Sequence, residues 1–129
     1  MASANRVRQG SGKILVVDDE PAQRKVIAAA LKQKGYETLE AEDGLQGLEQ
    51  ARAEKPDLII SDVYMDNMNG FMMVETLRQD PEFETIPVIM MTSAAQAAGA
   101  WQSEEDIEYL DKGFAMPKLL SMIERMLTT

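Results

Sequence analysis

Three short apolar runs without polar alternation set the fold: Ile14-Leu15-Val16-Val17, Leu58-Ile59-Ile60 and Val88-Ile89-Met90-Met91. A half-exposed strand alternates apolar with polar residues. An unbroken branched run suits a strand covered on both faces, as in a parallel sheet. Parallel neighbours need a long crossover between them, usually a helix, and the intervening sequence supplies the patterns. Pro21 fits a first helical turn, and Val26, Ile27, Ala30 and Leu31 form a stripe that Gly35 ends. Leu45, Leu48, Ala51 and Ala53 mark a second helix, stopped before Pro56. Phe71, Val74 and Leu77 mark a third, and Leu119, Leu120, Ile123 and Leu127 a last one. Two weaker strands complete the order, an alternating one over Glu37–Ala41 and a short one around Glu108-Tyr109-Leu110. The alternation implies right-handed crossovers and an α/β fold: a doubly wound, five-stranded parallel sheet with helices on both faces. The fourth helix, expected between Ser93 and Asp106, is irregular. Its alanine-rich stretch lacks amphipathic contrast, Gly99 interrupts it, and Glu104-Glu105-Asp106 follows.

A chain of 129 residues makes one such domain and not two. Residues 1–12 are rich in Ser, Gly, Asn and Ala and read as a flexible lead-in without the apolar stretch of a secretory signal, leaving 13–129 as the domain. No run approaches the ~20 apolar residues of a membrane span. The net charge of −9 argues against direct nucleic-acid binding and against anionic membranes, which both need cationic surface. A cytoplasmic location is the default expectation. With neither cysteine nor histidine, thiol and imidazole chemistry are excluded. Carboxylates, hydroxyls and lysines remain, a donor set for a hard cation.

In open α/β sheets, ligands bind beyond the carboxyl ends of the strands. Strand one runs out into Asp18-Asp19-Glu20, strand three into Asp62, strand four into Thr92 and strand five into Lys112. Strand two offers Glu42 and Asp43, but at the sheet's outer edge, where acids cap the following helix. Any one of these acids alone is also what a cap or a solvated turn looks like. Their convergence is harder to explain that way, because two carboxylates about 4 Å apart repel by roughly 4 kcal/mol at an effective dielectric near 20. Such a group takes up a proton or recruits a cation, and octahedral Mg²⁺ suits oxygen ligands. A carboxylate nucleophile with Mg²⁺, a hydroxyl and an ammonium is an arrangement for phosphoryl transfer.

The segments Val16-Val17-Asp18-Asp19-Glu20-Pro21 and Ile60-Ser61-Asp62-Val63-Tyr64-Met65 through Met68-Asn69-Gly70 resemble the receiver domain of two-component response regulators. Pro87-Val88-Ile89-Met90-Met91-Thr92 and Tyr109-Leu110-Asp111-Lys112 extend the resemblance, which covers Lys13 to Leu127. It implies a flavodoxin-like receiver fold in which Asp62 accepts a phosphoryl group from a histidine kinase or phosphotransfer protein. Asp19, Asp62 and the main-chain carbonyl of Tyr64 would bind Mg²⁺ directly, and Asp18 through water. Thr92 and Lys112 would hold the phosphoryl group, Thr92 and Tyr109 would form the switch, and Tyr64 and Ala94 would tune phosphoryl lifetime. The face made by the fourth helix, fifth strand and last helix would meet an output partner or a second copy.

The chain departs from the family pattern in four places. Asp66 stands where the family usually has proline, either hindering the donor or pointing to solvent. Gly113 replaces the proline after Lys112, which removes the bias toward a cis bond there. The usual Gly-Ala pair before Tyr109 is missing, and the fourth-helix region carries the lone tryptophan, Trp101, as interface anchor or core filler. Three readings compete in consequence. The first is a phosphorylation-controlled signalling module. The second is a degenerate receiver acting as a phosphorylation-independent interaction module. The third, a Mg²⁺-dependent hydrolase with an aspartyl-phosphate intermediate, lacks a spaced second acid and a substrate cap.

Overall fold

The computed structural model describes residues 12–93 and 106–128. Its elements follow the expected order: β1 (Lys13–Val17), α1 (Pro21–Gln33), β2 (Glu37–Ala41), α2 (Gly44–Glu54), β3 (Leu58–Asp62), α3 (Gly70–Arg78), β4 (Val88–Thr92), β5 (Ile107–Asp111) and α4 (Met116–Leu127). A 3-10 turn, Pro81–Phe83, leads into β4. The expected fourth helix, with Ala94 and Trp101, lies outside the described residues, as does nearly all of the lead-in. No described helix is long and apolar enough to cross a membrane.

All strand pairs are parallel, in the order β2-β1-β3-β4-β5. Alternate residues of the apolar runs feed two separate cores. Leu15, Val17, Ile59, Val88 and Met90 pack with Leu48 and Ala51 of α2 and Met73, Val74 and Leu77 of α3. Ile14, Val16, Leu58, Ile60, Ile89 and Met91 pack on the other face with Ile27 and Leu31 of α1 and Leu119, Met122 and Ile123 of α4. Burial on both faces is what the unbroken runs require.

Two helical stripes differ from expectation. In α1 the buried positions are Arg24, Ile27, Ala28 and Leu31, whereas Val26 is 59% exposed. In α2 they are Gly44, Gly47, Leu48 and Ala51, with Leu45 and Ala53 exposed. In α2 close approach sets the pattern, since a Cβ at Gly47 would meet Met73 and Val17, whereas in α1 the long side chain of Arg24 takes an inward position. Asp43 caps α2, its carboxylate accepting the Gln46 N–H at 2.9 Å, while Glu42 is exposed. The sheet order reverses between β1 and β3, since the chain winds outward to β2 and then back through β3, β4 and β5. A crevice opens beyond the carboxyl ends of the strands at such a reversal.

Candidate functional site at the carboxyl edge of the sheet

Asp18 follows β1 and Asp62 ends β3, so the two acids flank the reversal point. With Asp19 they bring one carboxylate oxygen each within 4.8 Å of the others, a group that does not include Asp66. Asp66 is exposed instead. Asp18 and Asp62 are buried, at 1% and 3% exposure, and Asp19 is open to solvent. The Lys112 ammonium donates to Asp62 Oδ2 at 2.9 Å. Its own main-chain N–H donates to the Thr92 carbonyl at 2.9 Å, which ties the loop despite Gly113. There are no cis peptide bonds among the described residues, in keeping with glycine after Lys112.

Thr92 is fully buried at the end of β4, its hydroxyl donating to the Ser93 carbonyl at 3.3 Å. Tyr109 sits on β5 opposite Met90, its ring tilted at 48° to that of Phe71 with centroids 6.3 Å apart. It packs against the core on the α2–α3 side. Tyr64 lies two residues past Asp62 in the β3–α3 loop, 56% exposed at the rim.

Burial pushes the Asp18 carboxyl up to about 6, helped by the charges of Asp62 and Asp19 and opposed by the Glu20 N–H and Lys112. Its Oδ1 accepts the Glu20 N–H at 2.9 Å, while the buried Oδ2 has no hydrogen-bond partner. A buried carboxylate oxygen without a partner is costly, and it lies in a group of hard oxygen donors. The residues therefore fit a small divalent cation. Burial pulls the Lys112 pKa down, but the Asp62 hydrogen bond and the charges of Asp62, Asp18 and Asp19 outweigh it and hold the ammonium above the ordinary lysine value.

Sequence reasoning gave no role to two residues that shape this edge. Arg24 is 7% exposed, donates to the Asp18 carbonyl at 2.8 Å and pairs with Glu40 at 3.0 Å. Burial raises the Glu40 pKa, but Lys25 and Arg24 more than offset it and leave it below the usual carboxylate value. The available signal was a charge in phase with the buried stripe, three residues before Ile27. Gly70 opens α3 directly beneath β3, where a Cβ would collide with the Asp62 carbonyl oxygen.

Residues 14–124 match the response regulator receiver domain. The chain is 36% identical over 117 residues to protein PilH of Pseudomonas aeruginosa, covering 89% of this chain and 97% of PilH. It is 35% identical over 117 residues to hybrid signal transduction histidine kinase D of Dictyostelium discoideum, covering 89% of this chain and 8% of that kinase. A solved receiver domain of a sensor histidine kinase from Pseudomonas aeruginosa, with a magnesium ion in its active-site cleft, superposes with a TM-score of 0.81 at 25% identity, covering 95% of this chain and 100% of that one. With a match running from the first strand into the last helix, the chain belongs to the response regulator receiver domains, the signalling modules of two-component systems.

Proposed function

We propose that Asp62 accepts a phosphoryl group from the phosphohistidine of a histidine kinase or phosphotransfer protein, in the cytoplasm. The observation that carries this reading is the Lys112 ammonium 2.9 Å from Asp62, beside two further carboxylates within 4.8 Å. Asp19, Asp62 and the Tyr64 carbonyl would hold Mg²⁺, with Asp18 acting through water. Bound there, the ion supplies neutralising charge for the moving phosphoryl group. An Asp62 carboxylate oxygen forms the new P–O bond as the donor's P–N bond breaks, and no general base is needed for an already ionised nucleophile. Lys112 spreads the developing negative charge, and the Thr92 hydroxyl turns to the phosphoryl oxygens. The donor reaches Asp62 past a shallow groove of about 360 Å³ that includes Val26, Phe114 and Met116 with Lys112 at its edge. That groove, which also includes Glu20 and Gln23, would give a part apolar, part polar seat for a helix carrying the phosphohistidine.

Thr92 and Tyr109 would form the switch, with output through the face that contains β5 and α4. Tyr64 at the rim, together with Ala94, would set how long the phosphoryl group lasts. The alternative, an interaction module that never uses its pocket, draws on Asp66 and Gly113. Neither departure disturbs the acid group, because Asp66 is exposed and a Cβ at Gly113 would meet nothing within 4 Å. Intact-mass spectrometry after incubation with Mg²⁺ and a small acyl phosphate decides between them. A single phosphoryl adduct on the parent chain, absent from Asp62→Asn, is the expected result. No adduct under rapid quenching would leave the interaction module as the better reading.

A further inference from the structure

The loop from Asp62 to Gly70 carries Tyr64 past the acid group and contains no proline. Two consecutive loop residues are instead fastened to two consecutive residues at the start of α2. The Asn67 amide Nδ2 donates to Asp43 Oδ2 at 2.6 Å. The Gly44 N–H donates to the Met68 carbonyl at 3.1 Å, and a Cβ at Gly44 would run into that same carbonyl oxygen. Asn67 has a φ of 70°, in the left-handed region that asparagine tolerates better than most residues. Met68 turns tightly behind it, its N–H donating to the Asp66 carbonyl at 2.7 Å.

Asp43 divides its carboxylate between two tasks. Oδ1 caps α2 through the Gln46 N–H and Oδ2 holds Asn67, and Asp43 is only 9% exposed. The Gln46 N–H and then the Asn67 amide hold its carboxyl below the usual range, so it stays an acceptor at neutral pH. An ionised acceptor strengthens an amide donor's hydrogen bond. We propose that Asn67 and Asp43 form a latch that positions the β3–α3 loop, and Tyr64 with it, for cation binding at the acid group. Asn67 is a positioning residue: its contact is with Asp43, outside the Asp18–Asp19–Asp62 group. The inference rests on the Mg²⁺ reading above, and its test separates the two.

Glycine at 67 removes the amide while keeping the backbone conformation open. The exchange Asp43→Asn with Asn67→Asp reverses donor and acceptor, conserves net charge, and keeps a competent N-cap and a residue at home in the left-handed region. Calorimetric Mg²⁺ titration and hydrogen exchange of peptides spanning 63–70 are measured on the parent chain and on both variants. The latch predicts that Asn67→Gly weakens Mg²⁺ binding about tenfold, the loss of one charge-assisted hydrogen bond, and speeds exchange across the loop. The paired exchange of residues restores both to within about twofold. Parent-like Mg²⁺ affinity in Asn67→Gly overturns the positioning role, even if loop exchange quickens, since the bond is then only structural. Failure of the paired variant to recover either readout also overturns it. A parent chain that does not bind Mg²⁺ overturns the cation reading first, and the positioning role with it.

Discussion

Asp18 is the residue with the most at stake in its protonation. Its carboxyl sits near 6 in the folded chain against a usual value of 3.8. Between those values the folded form holds the extra proton, so this group's contribution to stability is full below about pH 4 and is lost as pH rises through about 6. The gap corresponds to about 3 kcal/mol. Glu40, Asp43 and Glu108 are shifted downward and work in the opposite direction, losing stability as pH falls. A comparison with Asp18→Asn isolates the one group. Urea unfolding in chelator should show the variant gaining on the parent by about 2 kcal/mol between pH 4 and pH 7. A difference that is flat with pH would mean Asp18 is not buried among like charges. With Mg²⁺ present the same titration should appear as weaker ion binding below about pH 6, because protons and the cation compete for the carboxylate.

At the scale of elements, what could be read in advance followed from burial on two faces. The unbroken runs gave β1, β3 and β4, and strand ends then placed Asp18, Asp62, Thr92 and Lys112 at one edge. The helical stripes were less legible. Arg24 and Ala28 replace Val26 because a long side chain can bury its stem and still reach the Asp18 carbonyl, which no apolarity pattern encodes. The Asn67–Asp43 bond joins residues 24 positions apart through loops, so it too leaves no periodic trace. Gly70 shows how tightly one element seats on another. A methyl group there would meet the Asp62 carbonyl, Ser61 Oγ and Met90 Sδ, two of them within β3. Gly70→Ala should cost about 2 kcal/mol in chemical unfolding, the range for forced overpacking. It should also lower the yield of phosphoryl adduct on Asp62. Gly113→Ala, at a position with open space around it, is the control expected to do neither.

For the whole molecule, the charge of −9 and the clustered acids mean that any cation raises stability somewhat by screening, so specific binding has to be separated from ionic strength. Binding to the folded state alone adds about 2.7 kcal/mol at a hundredfold excess over Kd. For a domain of this size that is a rise in melting temperature of about 10 °C. MgCl₂ should produce it and NaCl at matched ionic strength should not, and equal effects of the two salts would argue against a site. One feature of the sheet also bears on how a domain of this kind moves. The hydroxyl of Thr92 ends β4 and the ammonium of Lys112 belongs to the residue just after β5, yet the Lys112 N–H is fastened to the Thr92 carbonyl, and the Phe114 N–H closes a turn onto Asp111 just before α4 begins. The backbones that carry these two side chains are thus joined by one bond, just ahead of the C-terminal helix. A main-chain shift at Thr92 would reach the start of the C-terminal helix by that route, without breaking the pairing of β4 with β5.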